Sequence, residues 1–310
     1  MKHEIKNVLI TGAAGFIGSH FVEYYITHGY NVIGLDIKIK DQISVTKPFE
    51  YIQLTLPNNQ LHSLIRKYKP DICIHCAGGS SVGISVENPY EDFNSSALVT
   101  FHLLESLKKF SPECKIIYPS SAAVYGNPIS LPISENYPLK PISPYGYHKL
   151  LCETICNEFS QLYNLNIYII RIFSAYGPGL RKQIFWDIFN KLKKENQLVL
   201  YGTGKETRDF IYIDDIVNAV DIILNSNVDS YDIYNIASGQ ETSIQELAWL
   251  IVKELNIDIP IVFNEITKKG DPKNWRADIS KVRNLGFEPY IGIGDGIARL
   301  KNWFKKGDGK

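Results

Sequence analysis

Neither charge is in excess in this chain. Its 310 residues carry 33 basic and 33 acidic side chains, a formal net charge of zero. Nucleic acid and acidic membrane surfaces are therefore not expected as its main partners. No apolar run reaches the roughly 20 residues needed to span a bilayer, so no membrane partner is expected. The opening stretch, MKHEIKNVLITGAAG, runs straight into a strand-like segment without a signal peptide's apolar core or cleavage site. A cytoplasmic protein is the expectation. Cysteine is scarce, at Cys73, Cys76, Cys114, Cys152 and Cys156, and the odd number argues for reduced thiols. Cys73 and Cys76 form a C-x-x-C, but inside PDICIHCAG, which reads as a strand whose positions three apart face opposite ways. No second Cys/His pair follows at zinc spacing, so core packing is expected of them and no metal site. Internal repeats and low-complexity linkers are also missing.

What is present is an ordered alternation. KNVLIT, NVIGLD, YIQLT, DICIHCA, CKIIYPS and NIYIIRIF are apolar and rich in strand formers. Helical stretches are expected over GFIGSHFVEYYITHG, ended by Gly29, and near 58–69, 89–109 and 145–164. That rhythm implies a mostly parallel sheet with helices on both faces. Near Phe173 the rhythm changes, and Pro178, Gly179, Gly202 and Gly204 break the chain into shorter pieces. The glycine-rich turn TGAAGFIG directly after the first strand marks 1–172 as the expected dinucleotide-binding domain, with 173–206 and 237–310 as a second region. The segment 207–236, with the strand-like stretches TRDFIYIDD and DIYNIAS at its two ends, is expected to return to the first sheet.

TGAAGFIG places Gly12, Gly15 and Gly18 directly after a strand and at the opening of a helix. Small residues let backbone approach a pyrophosphate, and a helix N-terminus supplies N–H donors and positive potential. Asp36 closes the second strand, where a carboxylate accepts hydrogen bonds from a ribose 2′-hydroxyl and repels a 2′-phosphate. NAD is favoured over NADP, with Lys38 and Lys40 close enough to soften the preference. YPSSAAVYG ends the fifth strand with Ser120 and Ser121, and the carboxyl end of a parallel strand is where ligands bind in such sheets. SPYGYHK offers two tyrosines ahead of Lys149. Tyr145 lies four residues before it, on the same helix face, whereas Tyr147 points elsewhere. A phenol held beside an ammonium has its ionised form stabilised, which makes Tyr145 a candidate acid or base.

These motifs, in this order and spacing, resemble the extended short-chain dehydrogenases/reductases of the nucleotide-sugar epimerase/dehydratase group. RIFSAYGPG, LYGTGKETRDFIYIDD and KKGDPKNWRADISK resemble that group's substrate segments. The resemblance implies an α/β fold: a Rossmann-type doubly wound parallel sheet with a smaller α/β substrate-binding region toward the C-terminus. It implies that Tyr145 is the acid/base, that Lys149 binds the nicotinamide ribose, and that Ser121 orients the sugar's C4 oxygen, with Ser120 structural. Gly12, Gly15, Phe16, Ile17, Gly18 and Asp36 would hold NAD(H), with NADP(H) the second candidate. Arg208 would pair with the phosphates of a nucleotide-sugar substrate, since a guanidinium bonds phosphate oxygens bidentately; the alternative for it is an ion pair with Asp209. Ser174, Lys268 and Trp275 would complete the sugar side, the indole disfavouring an N-acetylated sugar. A homodimer is implied, paired through the helices near 89–109 and 145–164.

Departures from the group narrow the chemistry. Ala122 and Ala123 follow Ser121 where 4,6-dehydratases carry an acidic pair, which argues against dehydration. QLTLPNN follows the third strand where many relatives have an Asp near the adenine. Ser174 and Lys268 stand where many 4-epimerases have Asn and Arg. The preferred reading is NAD(P)H-dependent reduction of the C4 ketone of a nucleotide-linked 4-keto-6-deoxyhexose, such as a dTDP- or GDP-sugar, for surface-polysaccharide sugar biosynthesis. The alternative is an NAD-dependent nucleotide-sugar 4-epimerase of the UDP-glucose 4-epimerase kind. A non-catalytic dinucleotide sensor is disfavoured by the intact Ser/Tyr/Lys set.

Overall fold

Apolar runs bounded by turn residues build the central sheet. The computed structural model describes residues 6–43, 45, 47–266, 270 and 272–307. In chain order the first elements are β1 (Asn7–Thr11), α1 (Phe16–Thr27), β2 (Asn31–Asp36), β3 (Glu50–Gln53), α2 (Gln60–Tyr68), β4 (Ile72–His75), α3 (Val82–Glu87) and α4 (Pro89–Phe93). A π-helical turn, Asn94–Leu98, leads into α5 (Val99–Phe110), then β5 (Lys115–Ser121), α6 (Pro144–Tyr163) and β6 (Asn166–Ile172). The remainder contains β7 (Ser174–Tyr176), α7 (Gln183–Lys191), β8 (Leu198–Leu200), β9 (Thr207–Arg208), β10 (Phe210–Tyr212) and α8 (Ile213–Asn225). It ends with β11 (Tyr231–Ile236), β12 (Thr242–Ser243), α9 (Ile244–Leu255), β13 (Ile261–Phe263), α10 (Ser280–Arg283) and α11 (Ile293–Lys305).

Seven strands form one sheet in the order β11-β6-β5-β4-β1-β2-β3. β1 pairs parallel with β2 on one side, Leu9 opposite Ile33, and with β4 on the other, Leu9 opposite Cys73. The chain therefore reverses its direction of travel across the sheet between β1 and β4, the switch point at which open α/β sheets bind ligands. Both faces are covered, so the strands read as near-continuous apolar runs. Leu9, Ile33, Cys73, Ile116 and Ile169 share a core with Leu103 and Leu107 of α5 and with Cys152, Cys156 and Phe159 of α6. Each fully buried aliphatic or aromatic side chain of this kind contributes about 1.5–3 kcal/mol. All five cysteines are free, and Cys73 is packed in this core while Cys76 lies just past the end of β4.

The chain divides into two units. The first comprises the residues up to Gly126 with Pro138–Arg171 and Ala219–Tyr234, and holds the sheet just described. The second comprises Asn127–Tyr137, Ile172–Asn218 and the residues from Asn235 onward. Its strands pair two by two, β10 with β7, β12 with β9 and β13 with β8. Aromatic packing joins β7 and β10 to α7, and α7 to α11: Tyr176 stacks on Phe185 at 4.4 Å and meets Tyr212 edge-on at 5.3 Å, while Phe189 stacks on Phe304 at 4.4 Å. Among the described residues no helix is long and apolar enough to cross a membrane.

One expected course differs. Within 207–236 only β11 joins the seven-stranded sheet, whereas residues 207–212 form β9 and β10 and stay with the second unit. The physical reason is Asp209, which lies between them with no exposure to solvent. Its Oδ1 accepts hydrogen bonds from the Ser238 amide (2.8 Å) and hydroxyl (2.7 Å), and its Oδ2 from the amides of Gly239 (3.1 Å) and Ala277 (3.0 Å). The Asp209 carbonyl accepts from the Ser174 amide at 2.9 Å, which aligns β10 on β7. Burial pushes the Asp209 carboxyl up to about 6 while these donors pull it back. Asp209→Asn keeps a single acceptor oxygen and turns an amide NH₂ toward two donors. The variant is expected to lose about 2–4 kcal/mol of stability, read as a lowered thermal midpoint. A loss below about 0.5 kcal/mol, the scale of an ordinary surface change, would contradict this account.

Candidate active site

The glycine turn sits at the switch point. Gly12 has φ +67°, and a Cβ there would lie 2.7 Å from the backbone of Cys76 and Ala77. A Cβ on Gly18 would come within 2.1 Å of the Gly12 carbonyl oxygen. Both positions admit glycine because backbone passes against backbone. Gly15 precedes α1 and has no side chain to cap it. The first amides of a helix lack partners inside it, so those at Phe16 and Ile17 are left for an acceptor from outside, with the positive end of the helix dipole behind them. Asp36, half-buried at the end of β2, accepts from the Ala14 amide at 2.9 Å and from the Lys38 amide at 3.1 Å. The Lys38 ammonium donates to the Ala14 carbonyl at 2.9 Å, across the same turn. These groups fit a dinucleotide: the glycines leave room for it, the α1 amides suit its pyrophosphate, and each Asp36 oxygen keeps a lone pair for a ribose hydroxyl.

In the first unit Ser121 ends β5, and Tyr145 and Lys149 lie in the first two turns of α6, which packs on β5 and on the turn after Ser121. Ser143 caps α6 by accepting from the Gly146 amide at 3.2 Å, Pro144 supplies no donor, and the Tyr145 amide donates to Ser85 of α3 at 3.0 Å. Every early donor of α6 is thus used. A Cβ on Gly146 would lie 2.7 Å from the Ala123 carbonyl oxygen. That glycine lets the first turn of α6 rest on the residues just after Ser121. Lys149 is buried, donates to the Pro119 carbonyl at 2.8 Å, and holds its ammonium 5.0 Å from the Tyr118 ring centroid and 5.9 Å from that of Tyr145. Tyr145 is half-buried, whereas Tyr147 is 58% exposed. Ala122 and Ala123, both buried, put no acid beside Ser121.

Sequence reasoning missed the polar groups that brace this edge from within. His75, 2% exposed at the end of β4, lies in a one-way chain of hydrogen bonds. The Ala77 amide donates to the Thr11 hydroxyl at 3.1 Å, which bonds His75 Nδ1 at 2.7 Å; His75 Nε2 meets the Thr100 hydroxyl at 3.2 Å, which donates to the Ser96 carbonyl at 2.8 Å. Each hydroxyl has one proton, so the direction places the imidazole proton on Nε2. Burial, and next the Lys149 charge, pull His75 down to about 3. It is a neutral strut between the glycine turn and the π-helical turn before α5. Glu153 was also missed, although it lies four residues beyond Lys149 on the same helix face.

The second unit holds the remaining residues singled out from the sequence. Arg208 is half-buried, and its guanidinium donates to the carbonyls of Thr207 (2.8 Å) and Lys273 (3.3 Å). It lies 5.7 Å from the ring of Trp275, which is buried and meets Phe173 edge-on at 6.0 Å. Both Asp209 oxygens are engaged by Ser238, Gly239 and Ala277. Ser174 is half-buried at the start of β7, opposite Phe210. Lys268 lies outside the described residues. Among the described residues no group of three or more His, Cys, Asp or Glu side chains could hold a metal ion.

Residues 8–237 match the model of the NAD dependent epimerase/dehydratase family. The chain is 30% identical over 311 residues to a UDP-glucose 4-epimerase of Mycolicibacterium smegmatis, covering 96% of this chain and 98% of that one. A crystal structure of Thermotoga maritima UDP-glucose 4-epimerase with UDP-glucose superposes with a TM-score of 0.90 at 27% identity, over 97% of this chain and 99% of that one. Bacillus cereus UDP-glucuronic acid 4-epimerase, in complex with UDP-glucuronic acid and NAD, gives 0.89 at 28% identity over the same shares.

The buried neutral His75 has a measurable consequence. Its ordinary value is 6.5 and its folded value about 3. Between these the unfolded chain takes up a proton that the folded one refuses. The stabilisation is therefore complete above pH 6.5 and is lost as pH falls, at up to about 1.4 kcal/mol per pH unit. His75→Gln is expected to flatten this acid limb in urea titrations between pH 7.5 and 4.5. Equal slopes for variant and wild type would refute the assignment.

Proposed function

The chain belongs to the NAD dependent epimerase/dehydratase family, and from that premise we propose that it is an NAD-dependent UDP-sugar 4-epimerase. The observation that carries the reading is similarity to 4-epimerases of UDP-sugars over nearly the whole of both chains. The Ser121, Tyr145 and Lys149 arrangement supports it, and the alanines after Ser121 leave no acid for dehydration. The ketoreductase reading moves to second place. It leaned on single-letter departures, the missing Asp near the adenine after the third strand and Ser174 and Lys268 in place of Asn and Arg, which similarity over the whole chain outweighs. The loop beyond Asp36 is braced from β3, where the Tyr51 hydroxyl donates to the Lys38 carbonyl at 2.6 Å and the Gln53 side-chain amide to the Ile37 carbonyl at 3.2 Å.

In this reading the glycine turn, the α1 amides at Phe16 and Ile17 and the Asp36 carboxylate hold NAD in preference to NADP. The chemistry NAD supplies when bound is reversible uptake of the C4 hydride. The protein's own residues handle the proton. Ser121 donates a hydrogen bond to the C4 oxygen and orients it. Tyr145 withdraws the C4 hydroxyl proton as hydride leaves and restores it, after the keto sugar has turned over, as hydride returns to the other face. Lys149, fixed at the Pro119 carbonyl, keeps a positive charge beside the phenol and offers protons to the ribose hydroxyls. Arg208, held by two backbone carbonyls beside the Trp275 ring, suits a diphosphate, and in the second unit Ser174 and Trp275 are assigned to the sugar by the resemblance.

The test needs no added cofactor. UDP-glucose or UDP-glucuronic acid, incubated with the purified protein alone, is expected to yield its C4 epimer by anion-exchange chromatography. Tyr145→Phe should remain folded yet lose about 10²–10⁴ of the rate, the worth of a general acid–base group, and Tyr147→Phe should stay active. If a nucleotide-linked 4-keto-6-deoxyhexose instead consumes NADH and no UDP-sugar epimerises, the reductase is the better reading.

We also propose a homodimer paired through α5 and α6. These helices expose Phe101 (41%), Leu151 (38%), Leu162 (67%) and Tyr163 (41%), and four helices of two copies would bury such a seam as a bundle does. Sedimentation at micromolar concentration should give a dimer that Leu151→Glu converts to monomer. A monomer-sized wild-type species would defeat this.

A further inference from the structure

We propose that Glu153 is a positioning residue that holds Ser121, Tyr145 and Lys149 in their working arrangement through a buried network with Ser120, Tyr125 and Arg171. The proposal rests on the reading of those three residues as the proton-handling set. Glu153 is 4% exposed, Arg171 2%, Ser120 4% and Tyr125 1%. The Arg171 guanidinium grips the carboxylate at both oxygens, from Nε to Oε1 at 3.0 Å and from a terminal nitrogen to Oε2 at 2.7 Å. Its other terminal nitrogen donates to the Tyr125 hydroxyl at 2.9 Å. The Ser120 hydroxyl donates to Glu153 Oε1 at 2.5 Å.

Placement makes this more than packing. Tyr145, Lys149 and Glu153 follow one another at intervals of four, so they share a face of α6. Lys149 ties that face to the carbonyl of Pro119 and Glu153 ties it to the side chain of the next residue, Ser120. Two successive residues of β5 thus fix both the rotation of α6 and its slide along the strand. Ser121 follows immediately, on the opposite side of the strand. Tyr125, just beyond the alanine turn, is tied to the same guanidinium, so the short segment bearing Ser121 is anchored at both ends. The pair is costly to bury, and a matched apolar pair of similar volume commonly stabilises a fold as well or better. Stability alone therefore does not call for charge here.

That point supplies the test. Glu153→Met combined with Arg171→Met removes both charges, so neither is left unpaired. The double variant is expected to fold with a thermal midpoint near that of wild type. Its kcat should fall about 100-fold, the scale set by misplacing a reacting group by about 1 Å, with KM changed less than about threefold and a displaced pH profile of kcat. A folded double variant with kcat within twofold of wild type would overturn the proposal. If the double variant does not fold, Ser120→Ala, which deletes one hydroxyl and leaves the ion pair, should still lower kcat about tenfold, and an unchanged kcat would overturn the proposal. A crystal structure of Glu153→Gln separates this idea from the functional reading, because it needs no substrate. Loss of the Lys149 bond to the Pro119 carbonyl, or a shift of the Tyr145 ring, supports positioning even if wild type epimerises nothing. An undisturbed ring and bond would sink it.

Discussion

A carboxylate and a guanidinium, both almost wholly removed from water, meet between α6 and β6. Either charge alone would cost several kcal/mol to bury, so neither element can move without the other. The consequences run along α6. Its middle is locked to Arg171 and Ser120 through Glu153, its second turn to the Pro119 carbonyl through Lys149, and its first turn to Ser85 and the Ala123 backbone. Cys152 and Cys156 fall on its core face, where they fill space beside Leu103 and Ile169. A helix held at so many points presents Tyr145 in one orientation.

The glycine turn obeys a different constraint. There the difficulty is crowding. Gly12 and Gly18 let β1, β4 and α1 approach until backbone touches backbone, which leaves no room for side chains and little for water. The polar groups trapped beneath are satisfied by His75, which serves as donor at one nitrogen and acceptor at the other only while neutral. The same burial that holds it neutral strengthens its hydrogen bonds, since a low local dielectric works in both directions. Rigid backbone around an open helix N-terminus is what an anion needs, because its donors are already aimed before it arrives.

In the second unit a single buried carboxylate plays the organising part. Asp209 gathers loops from residues 238, 239 and 277 onto the strand pair β7 and β10, and its neighbour Arg208 donates to the carbonyls of Thr207 and Lys273. Two buried acids are thus used in different ways: Glu153 ties a helix to its neighbouring strands, and Asp209 closes a set of loops.

Much of this was legible in the letters alone. The strand runs, the glycine turn opening α1, Asp36 at the end of β2 and the Tyr145–Lys149 spacing all lie within short windows, and backbone periodicity converts such windows directly into geometry. The choice between Tyr145 and Tyr147 was readable for the same reason. Partner choice across long separations was not. Thr11 finds His75 64 residues away, Glu153 finds Arg171 18 residues away, and Asp209 finds Ala277 68 residues away. The lean toward reduction also came from single letters, the Asp missing after β3 and the departures at Ser174 and Lys268, whereas similarity to 4-epimerases runs over nearly the whole chain. The local sequence determined which elements form and which side chains share a face. Only the packed fold decided which buried charges would meet, because a buried polar group takes whatever partner the topology brings within reach, and that topology is a property of the whole chain.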